Sequence, residues 1–220
     1  MENLYSIIIP VHNEINFLPQ LLSELKEYVN NGHEIVIVND GSNDGSTKLL
    51  EECDFIKHYL LKKNYGKGIA LIEGIRKSFH EKIIIFDGDM ELNPSDIQSL
   101  MVLNKNIDSV FGFRYETIYP FKSTWDLGNY LITKFFNFIH KSEIKDVLCC
   151  AKSFYRNDID VNKLKSKKFD IDVELASLLL KKNINPKQIR LKYQRRNVKQ
   201  GKKLGISDSW SILIRILSYR

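Results

Sequence analysis

The feature that most constrains the fold is a regular alternation, over the first ninety residues, of short apolar runs with segments of helical periodicity. The apolar runs cover residues 5–10, 34–39, 56–61 and 82–86. They are rich in Ile and Val, which is typical of strands buried on both faces of a sheet. The order of the segments predicts an α/β fold in which a mostly parallel central sheet is flanked by helices.

Helices are predicted between and after these strands, at residues 18–25, 45–53, 68–78, 95–103, 125–140, 172–182 and 207–219. Two further strands are predicted at 109–113 and 188–193. A chain of 220 residues is long enough to bury a core without disulfides or a structural metal. We therefore expect one domain over 1–220, made of a half at 1–115 and a half at 116–220.

Polar clusters follow three of the predicted strands, at residues 11–14, 40–45 and 87–91. The carboxyl ends of parallel strands meet at one edge of a sheet, so the clusters are expected to form one acidic pocket. Asp87 and Asp89 are separated by one residue, and such a pair suits a shared Mg²⁺ or Mn²⁺. The alternative is that these residues form ordinary solvated turns.

Four segments in this region, SIIIPVHNE, IVIVNDGSNDGS, NYGKGIALIEGI and IIIFDGDMELNP, resemble the motifs of family 2 glycosyltransferases in order and spacing. They look most like the polyprenyl-phosphate (dolichyl-phosphate) mannosyl- or glucosyltransferase branch. VFGFRY, DVLCCAKSFYR, FDIDVELASLL and YQRRNVKQGKKLGISDSW are similar to later motifs of this branch. The chain departs from the pattern at Asn39, where relatives carry Asp, and at Gln200, where they often carry Glu.

The resemblance implies a glycosyltransferase A-type fold that binds a nucleotide-diphosphate sugar and transfers the sugar with inversion, assisted by Mg²⁺ or Mn²⁺. The implied nucleotide-binding residues are Pro10, Asn13, Glu14, Asp40, Lys67 and Asp87. The implied metal ligands are Asp87, Asp89 and Glu91. The implied catalytic residues are Asp89, Arg114 (which would contact phosphate), Asp172 and Glu174 (which would face the donor sugar or its acceptor).

The end of the chain is strongly basic. The last 40 residues contain twelve Lys and Arg against one acid, whereas the whole chain carries a net charge of +6. Such an end predicts an anionic partner. Arg196, Lys202 and Lys203 are expected to bind the donor diphosphate or an acceptor phosphate. The alternative is a solvated basic surface.

The predicted last helix carries an apolar stripe, formed by Trp210, Leu213, Ile214 and Leu217. This stripe packs either on the core or on a membrane surface. No apolar run reaches the length of a membrane span. The first residues lack the basic region of a signal peptide. The three cysteines suit a reducing cytoplasm.

The expected function is transfer of a sugar to a polyprenyl phosphate by a protein peripheral to the cytoplasmic face of the membrane, with a partner protein as a possible anchor. Within the enzymes, the alternative is a transferase that extends a glycan at a hydroxyl group. Outside them, the alternative is a non-catalytic module that binds a nucleotide sugar or a nucleic acid. No nucleic-acid partner is expected, because the basic end lacks an aromatic-rich recognition motif.

Overall fold

The computed structural model describes residues 3–115, 124–182, 184–196 and 206–219, and within the last range it describes side chains from Ser209 onward. Over these residues the strands form one seven-stranded sheet in the order β3-β2-β1-β4-β6-β5-β7. The strands are β1 (Tyr5–Val11), β2 (Glu34–Asn39), β3 (Lys57–Leu60), β4 (Lys82–Ile85), β5 (Ser109–Phe113), β6 (Lys152–Tyr155) and β7 (Lys187–Arg190).

Strands β1 to β4 pair in parallel, as do β5 and β7, whereas β6 lies antiparallel between β4 and β5. The mostly parallel sheet predicted from the sequence is therefore confirmed. The helices are α1 (Leu18–Asn30), α2 (Ser46–Glu51), α3 (Lys67–Lys77), α4 (Ile97–Leu100), α5 (Thr124–His140), α6 (Ile171–Lys181) and α7 (Ile206–Ser218). They cover both faces of the sheet.

Strand β6 was missed because its first two residues are polar. Lys152 and Ser153 are fully buried in the middle of the sheet, so no apolar run marks the strand. The ammonium group of Lys152 donates to the carbonyl oxygens of Val147, at 3.3 Å, and Cys149. A buried ammonium is tolerated where carbonyl oxygens replace the lost water.

The helix predicted at 95–103 is shorter than expected. A 3₁₀ turn, Pro94–Asp96, leads into α4, which ends at Leu100. The chain then leaves the helix, and the amide of Leu103 donates to the hydroxyl of Tyr5 at 2.9 Å. The N–H of Leu103 thus makes a tertiary hydrogen bond in place of the bond that a continued helix would give it.

The Ile and Val residues of β1 alternate between two apolar layers. Ile7 and Ile9 pack with α1 on one face, and Ile8 packs with α3, α6 and α7 on the other. This arrangement explains why the run is apolar at every position. Because α3 packs closely on β1, its backbone approaches the sheet at Gly74.

Two helical glycines should respond in opposite directions to substitution by alanine. A Cβ at Gly74 would lie 2.3 Å from Cγ2 of the buried Ile8, whereas nothing lies within 4 Å of a Cβ at Gly128 in α5. We expect Gly74→Ala to lower the free energy of unfolding by about 1 to 3 kcal/mol through overpacking. Gly128→Ala should raise it by up to about 1 kcal/mol through helix propensity. Urea denaturation of both variants measures this, and stabilisation by Gly74→Ala would contradict the close packing.

Candidate active site

A cavity of about 720 Å³ lies at the carboxyl ends of β1, β2 and β4. The three polar clusters found in the sequence meet there, as predicted. Pro10 and Gly66 line it, together with the charged and polar side chains of His12, Asn13, Glu14, Asp40, Lys67, Asp87, Asp89, Glu91, Arg114, Asp172, Arg195 and Arg196. Its apolar wall includes Trp125, Leu148, Phe169 and Ile212.

Asp40, at the end of β2, organises the turn that leads into α3. Its carboxylate accepts the backbone N–H groups of Tyr65, at 2.7 Å, and Gly66, at 2.8 Å. Gly66 has φ of +105°, and a Cβ there would lie 2.4 Å from the carbonyl oxygen of Lys167, so only glycine fits. The predicted nucleoside contact of Asp40 would use the lone pairs that these hydrogen bonds leave.

Asn39, where the resemblance implies Asp, uses both ends of its side-chain amide within the turn after β2. It is fully buried, its Oδ1 accepts the N–H of Ser42 at 2.9 Å, and its Nδ2 donates to Oγ1 of Thr47 at 2.9 Å. A carboxylate here would have no donor for Thr47, so the Thr47 hydroxyl would have to donate to it instead. The amide therefore fixes the turn without adding a buried charge.

Asn13 joins the first two polar clusters. Its backbone N–H donates to Oγ of Ser42 at 2.9 Å, and its Oδ1 accepts the N–H of Asn43 at 2.8 Å. Asn13 has φ of +54°, a left-handed conformation that Asn adopts more readily than most residues. These bonds hold the loops after β1 and β2 together beside the cavity.

Lys67 stands at the start of α3 between two carboxylates from distant parts of the chain. Its Nζ lies 3.0 Å from Oδ1 of Asp87 and 3.1 Å from Oδ2 of Asp172. Burial lowers the pKa of Lys67, but Asp172 and Asp87 outweigh this effect and hold the pKa well above its ordinary value. Lys67 is therefore a permanent cation at the floor of the cavity.

Asp172 is positioned by this contact. It lies in the first turn of α6 and is buried, and its Oδ1 has no hydrogen-bond partner among the described residues. A buried carboxylate oxygen without a partner is costly, so this atom is suited to receive a donor from a ligand. The structure thus places Asp172 in the wall of the cavity, and its role toward the donor sugar or the acceptor stays a prediction.

Of the two neighbouring carboxylates, Asp87 is paired with Lys67, whereas Asp89 lies in an electrostatically unfavourable place. Burial, followed by repulsion from Asp87, raises the pKa of Asp89 to about 7. The Oδ1 of Asp89 accepts the N–H of Glu91 at 3.0 Å, which shapes the turn after β4. A divalent cation would relieve this repulsion.

A Mg²⁺ or Mn²⁺ ion fits Asp87 and Asp89, because both are hard oxygen donors at one loop. No group of three acidic, His or Cys side chains that could hold a metal occurs within the residues that the structure describes. Such ions commonly bind through one or two carboxylates and complete their shell with substrate phosphates. In this structure Glu91 Oε1 accepts the N–H of Arg196 at 3.0 Å, so its predicted role as third ligand would compete with that bond.

Arg114 lines the cavity but is already paired. Its Nε and Nη2 donate to Asp146 at 2.7 and 2.9 Å, a bidentate contact, and its guanidinium stacks over the rings of Tyr115 and Tyr193. Burial raises the pKa of Asp146, but Arg114 outweighs this effect and lowers it. The predicted phosphate contact of Arg114 would use the remaining N–H groups of the guanidinium.

Glu174 is a correction to the sequence analysis, which expected it to face the sugar or the acceptor. It is fully buried and is not among the described residues that line the cavity. Its carboxylate accepts the backbone N–H groups of Lys165 and Ser166 and the hydroxyl of Tyr219, at 2.5 to 3.1 Å. Because these donors occupy both oxygens, Glu174 holds the loop before α6 and the end of α7.

Arg195 and Arg196 reach the cavity from the segment that follows β7. Arg196 forms a bidentate pair with Glu14, at 2.6 and 3.2 Å, and lies over the ring of Phe17. Arg195 pairs with Asp126 in α5 and donates to the hydroxyl of Tyr115 at 2.9 Å. Lys202 and Lys203 lie outside the described residues.

The sequence analysis missed the acidic partners of the arginines and much of the apolar wall. Asp126 and Asp146 were not singled out, and neither was Phe169. Asp146 and Phe169 lie in segments that resemble family motifs, which is the signal that could have found them. For Asp126 no such signal exists, because its partner is 69 residues away.

The raised pKa of Asp89 predicts a dependence of stability on pH. Between about pH 4 and pH 7 the native state retains a proton that the unfolded state has lost, so the free energy of unfolding should fall as pH rises. Asp89→Asn should flatten this slope, whereas Asp54→Asn, an exposed carboxylate before β3, should not. Urea denaturation with a chelator from pH 5 to 8 measures the slope. An unchanged slope in Asp89→Asn would contradict the assignment.

Comparisons with known proteins agree with this geometry. The family described as Glycosyl transferase family 2 matches residues 6–161. The undecaprenyl-phosphate 4-deoxy-4-formamido-L-arabinose transferase of Proteus mirabilis is 29% identical over 169 residues, which are 72% of this chain and 51% of that protein. Glycosyltransferase AglJ of Haloferax volcanii is 26% identical over 184 residues, 81% of this chain and 59% of that protein. The chain thus spans about half the length of these relatives.

Among solved structures, glucosyl-3-phosphoglycerate synthase of Mycobacterium tuberculosis, in a complex with Mn²⁺, uridine diphosphate and glucosyl-3-phosphoglycerate, superposes with a TM-score of 0.76. The sequence identity is 14%, and the alignment covers 98% of this chain and 79% of that one. This likeness confirms the predicted glycosyltransferase fold. Because the family match covers most of the chain, the protein belongs to glycosyl transferase family 2.

Proposed function

We propose that the protein transfers a sugar, with inversion, from a nucleotide-diphosphate sugar to a polyprenyl phosphate. The observation that carries this proposal is one cavity whose lining combines two unlike sets of side chains. Asp87 and Asp89 suit a cation and a diphosphate, and the same cavity is lined by Arg114 and by apolar side chains. The names of the relatives from Proteus mirabilis and Haloferax volcanii support a polyprenyl-phosphate acceptor and a glycosyl transfer, respectively.

The donor occupies the side of the cavity formed by β1, β2 and β4. Pro10, Asn13 and Asp40 line the nucleoside end, and Asp87 and Asp89 face the diphosphate. A bound Mg²⁺ or Mn²⁺ would neutralise the leaving diphosphate. The crystal structures of the synthase with Mn²⁺ or Mg²⁺ and uridine diphosphate support this arrangement.

The acceptor phosphate enters from the opposite side and needs no strong base. The second pKa of a phosphate monoester is about 6, so its oxygen is ionised near pH 7. This oxygen attacks C1 of the sugar while the bond from C1 to the diphosphate oxygen breaks, which releases the nucleoside diphosphate and inverts C1. Arg114 lines the cavity and would stabilise the phosphate charge.

A second candidate function is the extension of a glycan at a hydroxyl group. The contacts of Asp172 distinguish the two candidates. A hydroxyl acceptor requires a base. One carboxylate oxygen of Asp172 contacts Lys67, which favours a structural role for this residue. The other oxygen has no hydrogen-bond partner among the described residues and could accept a proton from a hydroxyl acceptor. The contact with Lys67 engages one carboxylate oxygen of Asp172 and holds the side chain at the floor of the cavity, which favours the phosphate acceptor because that acceptor needs no base.

The exposed faces of α5 and α7 support contact with a membrane. Trp210 and Ile214 of α7 are 69% and 65% exposed, and Phe138 of α5 is 80% exposed, whereas Ile212 and Ile216 face the core. The predicted apolar stripe of α7 thus lies outside, apart from half-buried Leu213. Exposed aromatic and aliphatic side chains beside a basic segment are typical of helices that lie in a membrane interface.

Among the described residues, no helix has both the length and the apolarity that crossing a bilayer requires. The proposed contact is therefore made by the outer faces of α5 and α7. The location at the cytoplasmic face, the division into halves at residue 115 and an anchoring partner protein stay predictions.

The reaction is tested by incubating the protein with a panel of nucleotide sugars, Mn²⁺ and a polyprenyl phosphate, and measuring the glycolipid formed. We expect transfer from one donor, loss of transfer with a chelator, and a loss of at least a hundredfold in Asp89→Asn, because a metal ligand is removed. Asp54→Asn is the matched control and should behave as wild type. Transfer to a soluble glycan hydroxyl, with none to polyprenyl phosphate, would instead support the second candidate.

The membrane contact is tested by flotation with vesicles that contain anionic phospholipid. The double variant Trp210→Ser and Ile214→Ser should lose most vesicle binding, because the apolar contact is removed, and high salt should weaken binding by wild type. Phe79→Ser is the matched control, since Phe79 is 76% exposed but lies just before β4, at the other end of the sheet. Equal loss in both variants would contradict a specific membrane face.

A further inference from the structure

Two segments that border the cavity are rich in lysine and contain no acidic residue. Residues 61–69, which run from β3 into α3, and residues 161–169, which precede α6, together contain seven lysines. One of them, Lys67, is the cation at the floor of the cavity, and another, Lys163, lies 3.3 Å from Asp160. The other five are exposed, and we call them the lysine rim: Lys62, Lys63, Lys165, Lys167 and Lys168.

The backbones of the two segments pack directly against each other. The carbonyl oxygen of Lys167 accepts the N–H groups of Gly68, at 3.0 Å, and Ile69, at 3.3 Å. A Cβ at Gly68 would lie 2.4 Å from the carbonyl oxygen of Ser166, so this approach requires glycine. The fold therefore brings lysines from two distant parts of the chain onto one surface.

The lysine rim lies along the side of the cavity that β2 and α3 form. Lys168 itself lines the cavity, as does Asn64 in the other segment. A Cβ at Gly41, directly after β2, would lie 2.4 Å from the carbonyl carbon of Lys63. The rim therefore borders the turn that the carboxylate of Asp40 organises.

The interior of the cavity opposes the entry of an anion. Among the described residues, six carboxylates line it: Glu14, Asp40, Asp87, Asp89, Glu91 and Asp172. Lys67 and the three arginines of the lining are paired with acidic side chains. An approaching anion therefore meets repulsion before it makes any short-range contact.

Exposed cations at the mouth of such a cavity offset this repulsion. Clustered charges of one sign raise the local concentration of an oppositely charged ligand and increase association rates by about 10- to 1000-fold. Lysine suits this role, because its hydrated ammonium group acts as a point charge and needs no fixed geometry. The effect acts over the screening length of the solution, so it weakens as salt is added.

We propose that the lysine rim is an electrostatic entry surface for the diphosphate of the donor. The rim attracts the anionic nucleotide sugar to the side of the cavity at β2 and α3. The identification of the anion as the donor rests on the proposed function, whereas the attraction of a diphosphate rests on the charge and position of the rim. An anionic membrane is the alternative ligand for these lysines. The place of Lys168 in the cavity lining and the contact with the Asp40 turn favour the donor.

The proposal is tested by calorimetric titration with inorganic pyrophosphate in the presence of Mg²⁺, which needs neither the donor base nor an acceptor. The rim variant removes four charges and keeps Lys168, which lines the cavity: Lys62→Gln, Lys63→Gln, Lys165→Gln and Lys167→Gln. At about 0.01 M salt, where screening extends over about 30 Å, its affinity for pyrophosphate should be about tenfold lower than that of wild type. At about 1 M salt, where screening extends over about 3 Å, the two affinities should be equal.

A charge-matched control variant removes four exposed lysines that lie toward the amino ends of the strands: Lys26→Gln, Lys77→Gln, Lys105→Gln and Lys187→Gln. It has the same net charge as the rim variant, so its affinity at low salt should stay within about twofold of wild type if position matters. The hydrogen bonds that the second segment makes to α3 use backbone atoms, which glutamine retains, so the rim variant should fold. If it does not, the two double variants, at 62 and 63 and at 165 and 167, are measured separately.

Equal loss of affinity in the rim and control variants would overturn the proposal, because net charge alone would then explain the effect. Wild-type affinity in the rim variant at low salt would also overturn it. If the rim variant instead loses flotation with anionic vesicles while its pyrophosphate affinity is unchanged, the surface binds membrane and the proposal is wrong.

The outcome is separable from that of the proposed function. If the rim variant binds pyrophosphate more weakly as expected but wild type transfers no sugar to polyprenyl phosphate, the entry surface stands and the proposed function is wrong. If wild type transfers the sugar and the rim variant has unchanged affinity, the proposed function stands and the entry surface is wrong. Absence of pyrophosphate binding by wild type would contradict the proposed donor site itself, and the entry surface with it.

Discussion

The buried ammonium of Lys67 is the interaction on which the cavity depends most. It joins the start of α3 to Asp87, after β4, and to Asp172, at the start of α6. These residues belong to segments that are otherwise separated by the sheet and by up to 105 residues of chain. Without the cation, the carboxylates at the floor of the cavity would repel one another in a poorly solvated place. Lys67 therefore sets the spacing of the acidic residues to which the proposed cation would bind.

Three arginines of the cavity are likewise paired with acidic side chains. Arg114 is matched by Asp146, Arg195 by Asp126 and Arg196 by Glu14, and the three acids are buried. Each pair holds the cation in a defined place. Asp89 differs, because its nearest charged neighbours include Asp87 and Glu91, and its pKa is raised. The cavity thus holds its arginines in place for binding phosphate, while the negative charge around Asp89 is not fully neutralised.

Several residues within the family motifs maintain the loops of the site through contacts inside the protein. Asp40 holds the turn before α3 through two backbone amides, and Asn39 uses both ends of its amide within the turn after β2. Glu174 is the clearest case, because all its contacts are internal. A motif therefore marks residues that build the site as well as residues that touch the substrate, and only geometry separates the two.

The sequence by itself determined the parallel part of the sheet and the polar strand ends, because these depend on local runs of Ile and Val and on turn residues. It did not reveal β6, whose buried Lys152 depends on carbonyl groups that only the folded chain supplies. The pairing of Glu14 with Arg196 joins residues 182 positions apart, and no local pattern records it. The outward direction of Trp210 was also decided by tertiary structure. Arg215 pairs with Asp170 at the start of α6, which fixes the rotation of α7 and turns Ile212 and Ile216 inward.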